Sequence, residues 1–446
     1  MKTPFTDNIR YSLQVGRFML DDRWKYHAIF GFYISLVCFL LYSLHLASGL
    51  TFIPYVLLYL GALVVAYAAV WYLTGRLQLR SLKLPFSVGG NWPDIASKSL
   101  LIASIAFVAA HFLYLGYVPV IDGLLEKEYY AVMLIRQSIF EGDVGAIWRY
   151  GPNILVKSVF PFLVFYFAFQ SRFWFILSLL VGGFYAIALM NKIFIILLIL
   201  PGFIRLVLEL RLVHAVALGI LPLVGFTILI NVQNPHQRPE FLVEAVDWVL
   251  DSGMPEYRKT MEARAGNNLK LVSVPRAADV DKVEVVTNSL YIRIVQVPGL
   301  VMTDWFENIP AKLSFGHGCG YRWLVPALDC EYRSYAAAIN DLEHPELVEM
   351  GIHGTMTSAS FMEEYANFGT IGLIISGLVF AFILVLLGRL FGTNWKDNLA
   401  LNMIPLFLML EMPLSTVILT GGWFLTIILY LLVAFAAESR EKTVHA

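Results

Sequence analysis

The residues best suited to acid–base chemistry are two histidines and two adjacent glutamates in the second half of the chain. His317 lies in a GHG sequence, His353 lies in IHG, and Glu363 and Glu364 follow. Glycine beside a histidine lets the backbone approach a ligand or adopt a positive φ, and histidine exchanges protons near neutral pH. We interpret His353 and Glu364 as candidate bases for a hydroxyl group. The simpler alternatives are hydrogen-bonding loop histidines and carboxylates in a first helical turn, where they favour the helix dipole.

A set of basic residues forms a second candidate site, suited to binding a pyrophosphate. Arginine makes bidentate contacts to phosphate oxygens, and lysine supplies a point charge. Charge close to a bilayer is costly and is usually functional. Lys192 stands out because it separates two very apolar segments. The alternative is that these side chains snorkel to the membrane surface, or only add positive charge to a loop that faces lipid. The set comprises Arg136, Arg149, Lys157, Lys192, Arg293, Arg322 and Arg333.

Composition indicates what must position these residues. Of 446 residues, 58% are hydrophobic and 15% are charged, and the mean hydropathy is +0.69. A soluble domain averages roughly 45–50% apolar residues. The fold class predicted is therefore all-α, a polytopic membrane protein with about ten transmembrane helices. The predicted spans are 28–48, 51–73, 97–117, 154–170, 173–190, 193–210, 212–231, 366–389, 399–417 and 420–437.

Several function classes are disfavoured by the motifs that the sequence lacks. It has no Walker or GxGxxG loop, which argues against ATP-driven transport and nucleotide binding in a Rossmann fold. It has no metal-type Cys/His spacing, and neither of the candidate carboxylates Glu363 and Glu364 lies in a DxD sequence, so no metal and no other cofactor is predicted. No basic stripe lies outside the membrane flanks, so nucleic acid is not a predicted partner.

The distribution of Lys and Arg predicts the orientation, because basic residues concentrate in cytoplasmic loops. With the N-terminus inside, most of the flanking Lys and Arg fall on the cytoplasmic side. The predicted divisions are a transmembrane bundle of about seven helices at 1–231, a periplasmic, mostly helical active-site loop at 232–365, and about three transmembrane helices at 366–446. The predicted location is a bacterial inner membrane, with both termini cytoplasmic.

Three segments outside the predicted spans have features of their own. Residues 118–153 are rich in Trp and Tyr and form either an interfacial anchor or a rim that stacks sugars and binds phosphate through Arg136 and Arg149. Residues 286–306 predict a helix that lies on the bilayer or dips into it. Cys319 and Cys330 lie in the predicted outer loop, where an oxidising compartment favours a disulfide over two free thiols.

Several of these stretches together resemble the bacterial Wzy-type polysaccharide repeat-unit polymerases, which are related to the O-antigen ligases. The resemblance rests on NSLYIRI, on FGHGCG and on IHG followed by SASFMEEYANFGTIG and a very apolar helix. In ALMNKIFIILLIL, Lys192 is similar to a basic residue that this superfamily has at the outer end of a helix. The resemblance covers about residues 185–385. In the ligases an asparagine closely follows the histidine and the run to the glycine is shorter, whereas here Thr355 through Tyr365 intervene, which favours polymerase over ligase.

The resemblance implies a metal-independent, inverting glycosyl transfer outside the membrane. The donor would be a growing glycan on undecaprenyl pyrophosphate, and the acceptor a single lipid-linked repeat unit. Lys192 and Arg293 would hold the pyrophosphate leaving group, His317 would lie in the glycine-rich turn, and His353 and Glu364 would lie beside the acceptor hydroxyl. Fixed cations can stabilise the leaving group without a metal. The implied partners are lipid-linked oligosaccharides, the bilayer and a separate chain-length regulator.

Two alternative functions stay open at this stage. An O-antigen ligase would join a finished glycan to the lipid A core by the same chemistry. A lipid-linked glycan transporter or flippase would place charged or Pro/Gly-broken sites near the middle of the membrane. The predicted spans are nearly free of ionisable residues, which favours chemistry outside the membrane.

Overall fold

The computed structural model describes residues 22–76, 92–126, 129–139, 145–235, 238–253, 291–349, 354–392 and 394–444. Every regular element in these ranges is helical. Among the described residues, six helices are long and apolar enough to cross a bilayer: Trp24–Ser48, Ile53–Leu73, Trp92–Leu115, Leu212–Gln233, Ser360–Phe391 and Leu414–Val433. The predicted class, an all-helical polytopic membrane protein, is thus confirmed at this level. The count of about ten spans and the large periplasmic loop stay predictions.

The described residues divide into two compact units. One unit lies within 1–83 and 282–415, and the other lies within 84–281 and 416–446. These units are defined by packing, whereas the predicted divisions describe membrane topology. Those divisions, 1–231, 232–365 and 366–446, therefore stay a prediction.

The first unit is built on close contacts between helices at glycine. Its helices are Ala28–Ser48, Ile53–Leu73, Val297–Asn308, Val325–Leu328, Tyr335–Glu343, Pro345–Glu349, Ser360–Phe391 and Trp395–Leu408, and Ile292–Gln296 forms a π-helical turn. A methyl group on Gly377 would lie 2.9 Å from the Leu63 nitrogen, so the Ser360–Phe391 helix can approach the Ile53–Leu73 backbone. Small residues at such contacts are typical of helix association in membranes.

The stretch predicted at 286–306 is helical over its described part and is tied to the Ala28–Ser48 helix. The Ser43 hydroxyl donates to the Val295 carbonyl and accepts from the Gly299 nitrogen at 2.7 Å. A methyl group on Gly299 would lie 2.1 Å from the Ser43 carbonyl oxygen, so this position accepts only glycine. The stretch therefore packs along a helix of spanning length.

The second unit contains the segments that carry Arg136, Arg149 and Lys192. Its helices are Trp92–Leu115, Pro119–Leu125, Tyr129–Ser138, Ala146–Ile154, Phe160–Phe167, Arg172–Ala188, Lys192–Leu208, Leu212–Gln233, Glu240–Gly253 and Trp423–Val444, with a π-helical turn at Leu155–Val159. That π-helical turn lies at the start of the predicted span 154–170.

Three segments that are distant in the sequence contact one another in this unit. Val132, Met190 and Val232 form one buried apolar cluster. The Gln233 side chain donates to the Met190 carbonyl. The Arg238 guanidinium donates to the carbonyls of Gly123 and Asn231, each at 2.8 Å, and thereby covers the end of the Leu212–Gln233 helix. Burial lowers the pKa of Arg238 to about 10.

Candidate active site

The centre of the candidate site is a break in the Ser360–Phe391 helix. Gly369 has φ 62° and ψ −142°, a conformation that glycine adopts without strain. Such a break leaves the last carbonyls of the preceding helical segment without partners. The Gly316 nitrogen donates to the Ala366 carbonyl at 3.0 Å, and the His317 nitrogen donates to the Asn367 carbonyl at 2.8 Å. The GHG turn therefore caps the first half of the helix.

Asn367 holds the rest of the turn in place. Its side chain is fully buried. Its Oδ1 accepts from the backbone nitrogens of Gly318 at 3.2 Å and Gly320 at 2.9 Å, while its Nδ2 donates to the Glu363 carbonyl at 2.9 Å. We call the assembly of residues 316–321 with residues 363–369 the turn–helix junction. Sequence reasoning missed Asn367, although it lies within the SASFMEEYANFG motif.

A disulfide closes the segment that follows the turn. The sulfur atoms of Cys319 and Cys330 are bonded, and their Cα atoms lie 6.1 Å apart. The Arg333 nitrogen donates to the Cys319 carbonyl at 3.0 Å. On the other side of the turn, the Tyr335 hydroxyl donates to the Ser314 carbonyl at 2.8 Å. The turn is thus fixed from both of its ends.

Removing this disulfide is expected to lower stability. The two cysteines are 11 residues apart, and the loss of a crosslink closing a loop of that length costs about 2–3 kcal/mol through the entropy of the unfolded chain. We expect the double variant Cys319→Ser, Cys330→Ser to unfold at a lower temperature than the native chain. Added reductant should lower the midpoint of the native chain and leave that of the double variant unchanged. An equal response of both to reductant would contradict this role.

The two glutamates lie in the junction, and Glu364 has the environment of a reactive group. Glu363 is 9% exposed. Glu364 is partly exposed, and its Oε2 is buried without a hydrogen-bond partner in the described part of the chain. The Tyr321 hydroxyl, from the end of the glycine turn, interacts with the Glu364 carboxyl. An unpaired buried oxygen beside a hydroxyl is a position where a substrate hydroxyl can bind.

Tyr321 is a second residue that sequence reasoning missed, although it directly follows GHGCG. Its ring stacks on Phe368, with centroids 6.4 Å apart. Burial, followed by the negative charges of Glu364 and Glu363, raises the pKa of Tyr321. The hydroxyl therefore stays protonated and acts as a hydrogen-bond donor.

Three of the predicted binding residues surround the turn, and all three are exposed. His317 lies within the turn and has φ 50°. The Arg322 guanidinium lies 4.6 Å from the centre of the Tyr332 ring. The Arg333 Nη1 donates to the Ser314 hydroxyl at 3.1 Å. The two arginines add positive charge beside the junction.

For the predicted catalytic residues Arg293 and His353, the structure gives at most a position in the backbone. Arg293 lies in the π-helical turn Ile292–Gln296 of the same unit. Single π-helical turns occur frequently at functional sites. His353 lies outside the described residues. Their assignment to catalysis stays a prediction.

The other predicted cations belong to the second unit. Lys192 is partly exposed and is the first residue of the Lys192–Leu208 helix, where the Asn191 side chain accepts from the Ile193 nitrogen at 3.3 Å. A cation at a helix N-terminus opposes the helix dipole, so helix stability does not explain Lys192. Arg136 is exposed on the Tyr129–Ser138 helix, and Arg149 is partly exposed on the Ala146–Ile154 helix.

Asp304 lies on the Val297–Asn308 helix and is expected to make the free energy of unfolding depend on pH. Burial first, then the charges of Glu343 and Glu307, raise the pKa of Asp304 to about 6, while His344 acts in the opposite direction. The folded chain therefore binds more protons than the unfolded chain between about pH 4 and 6. This group's contribution to the free energy of unfolding falls as the pH rises through that window.

The test compares Asp304→Asn with the native chain in unfolding experiments from pH 4 to pH 7. The variant should gain stability relative to the native chain as the pH rises, because its amide does not ionise. Glu349→Gln, which makes the same change from carboxyl to amide on the exposed end of a short helix, serves as the matched control. A constant difference for Asp304→Asn would contradict the proton uptake assigned to it.

The fold and junction define a class: an all-helical, multi-pass membrane protein with a disulfide-closed glycine turn bound to a broken helix. Comparison with known proteins adds no relative, since the chain matches no family model, no curated protein and no solved structure.

Proposed function

We propose that this protein is a membrane glycosyltransferase that polymerises undecaprenyl-pyrophosphate-linked repeat units into O-antigen or a related surface polysaccharide. The proposal includes about ten membrane spans, a periplasmic loop at 232–365 between the seventh and eighth of them, a bacterial inner membrane, and cytoplasmic termini. One observation carries it. The two motifs on which the resemblance to polymerases rests, FGHGCG and SASFMEEYANFG, are hydrogen-bonded to each other, and they bring Tyr321 beside Glu364.

In the proposed reaction, the Glu364 carboxylate takes the proton of the acceptor hydroxyl. The acceptor oxygen then forms a bond to the anomeric carbon of the donor, from the face opposite the leaving group. The bond from that carbon to pyrophosphate breaks, and undecaprenyl pyrophosphate leaves with the electron pair. The configuration at the anomeric carbon is inverted. A positioned general base contributes about 10²–10⁴-fold to such a rate.

The leaving pyrophosphate gains negative charge, which fixed cations stabilise best when they are already in place. In the first unit, Arg293 is proposed for this role, and exposed Arg322, Arg333 and His317 are proposed to contact the lipid-linked sugars or phosphates. Lys192, Arg136 and Arg149 are proposed for phosphate or sugar contacts as well, and they are tested one at a time.

The experiment that tests this function uses a host from which the native gene has been deleted. The deletion should leave the lipid A core carrying a single repeat unit, and the native chain should restore the ladder of surface polysaccharide. Lys192→Ala and Arg293→Ala, each at normal protein level, should fail to restore the ladder and leave the core with a single repeat unit. Lys98→Ala is the control, because its partly exposed ion pair with Asp94, at 2.6 Å within one helix, is expected to matter little.

The same gels separate this function from its rivals. Loss of a ligase would leave bare core and accumulated lipid-linked polymer. A flippase would move the lipid-linked unit across proteoliposomes without forming any glycosidic bond. Normal ladders from both Lys192→Ala and Arg293→Ala would contradict the roles proposed for those two residues.

A further inference from the structure

We propose that the disulfide-closed segment Cys319–Cys330 is a membrane-interface anchor that inserts Trp323 and Leu328 into the headgroup region of the bilayer. The inference does not depend on glycosyl transfer. It rests on the position of the segment along a spanning helix and on the apolar surface that it leaves exposed.

The first observation is where the membrane boundary falls on the Ser360–Phe391 helix. Residues 370–388 are apolar or small, with Glu364 before them and Arg389 after them. At 1.5 Å per residue this stretch is about 28 Å long, close to the thickness of the hydrocarbon core. Its outer face is apolar and exposed, with Ile371 at 65% and Phe382 at 54%. One edge of the hydrocarbon core therefore lies at about Gly369.

The second observation is that the segment is attached at this edge. The turn that leads into it is hydrogen-bonded to the carbonyls of Ala366 and Asn367. The Tyr321 ring stacks on Phe368, which is 37% exposed. A methyl group built on Gly318 would meet Leu328 at 2.7 Å and Phe368 at 3.8 Å, so both side chains border the same glycine. The base of the segment is thus continuous with the exposed face of the helix.

The third observation is the composition of the segment's free surface. Trp323 is 69% exposed and Leu328 is 46% exposed, and Pro326 and Ala327 between them are exposed as well. Trp and Tyr are enriched at the headgroup level of membranes. The Arg322 guanidinium, stacked on Tyr332, can pair with a lipid phosphate. A run of neighbouring apolar side chains fits acyl chains and headgroups better than it fits a polar saccharide.

The test uses the full chain in liposomes, with tryptophan fluorescence and two quenchers. The Trp323 signal is the native spectrum minus that of Trp323→Phe. We expect this difference to be blue-shifted relative to tryptophan in water. Brominated lipids should remove most of it, and aqueous iodide should remove little. The matched control is Trp305→Phe, whose buried indole is 2% exposed and should be shielded from both quenchers.

Two outcomes would overturn the proposal. One is a red-shifted difference that iodide quenches and brominated lipid does not. The other is a red-shifted difference that iodide quenches and that added oligosaccharide protects from iodide, which would indicate that Trp323 binds a saccharide. Should Trp323→Phe fail to fold, Leu328→Trp in the native chain places a new indole on the same surface, and its added signal must meet the same criteria. Retention of the disulfide in each variant is checked by mobility on non-reducing gels.

Discussion

Glu364→Gln is expected to abolish the polysaccharide ladder and leave core with a single repeat unit. Glutamine keeps the shape of the side chain but cannot accept the proton of the acceptor hydroxyl. We expect the polymerisation rate to fall by about 10²–10⁴-fold, the usual contribution of a general base. The measurement is the rate of glycosidic bond formation from lipid-linked repeat units in proteoliposomes, together with the surface-glycan gel.

Glu363→Gln is the matched control, because it makes the same chemical change at the adjacent residue. Both glutamates lie in the turn–helix junction, but Glu363 is only 9% exposed, whereas Glu364 is partly exposed, lies beside the Tyr321 hydroxyl and has an Oε2 without a hydrogen-bond partner in the described part of the chain. Glu363→Gln should therefore keep most of the rate. A full ladder from Glu364→Gln at normal protein level would remove Glu364 from the reaction. A collapse caused by Glu363→Gln alone would transfer the role to that residue.

Asn367→Leu is expected to be the most destabilising single change in the junction. It removes the acceptor for the Gly318 and Gly320 nitrogens and the donor to the Glu363 carbonyl, all from a fully buried side chain. Each of the two buried glycine nitrogens left without an acceptor costs about 1–3 kcal/mol, so together they cost roughly 2–6 kcal/mol. The measurement is the free energy of unfolding in detergent micelles, from denaturant or thermal transitions.

Thr370→Val is the control for this prediction. Thr370 lies on the same helix, just past Gly369, and its side chain is exposed, so the change should stay within about 0.5 kcal/mol. Should Asn367→Leu unfold at the same midpoint as the native chain, the amide does not hold the turn. Loss of activity in Asn367→Leu at intact stability would instead assign Asn367 a part in substrate binding.

The class of this protein follows from local properties of the sequence. A run of about 20 apolar residues indicates a helix surrounded by lipid, and the run itself is enough to predict this. The runs at 51–73 and 212–231 correspond closely to the helices Ile53–Leu73 and Leu212–Gln233. The positions of Cys319 and Cys330 favoured a disulfide, and the structure joins them.

The junction depended on contacts between distant residues. Hydropathy runs unbroken through Gly369 and cannot show that the helix breaks there, because the break is stabilised by nitrogens that lie about 50 residues earlier in the chain. The roles of Asn367 and Tyr321 arise from the same docking. Neither side chain has a distinctive sequence signal, since an amide and a hydroxyl acquire their function from the partners that they reach.

The sequence by itself determined that this chain is helical, membrane-embedded and equipped with histidines, carboxylates and cations outside its apolar runs, because composition and spacing are local. Only the tertiary structure decided that the GHG turn caps the broken Ser360–Phe391 helix and brings Tyr321 to Glu364. The physical reason is that buried backbone groups must find partners. Which partners they find depends on how the whole unit packs.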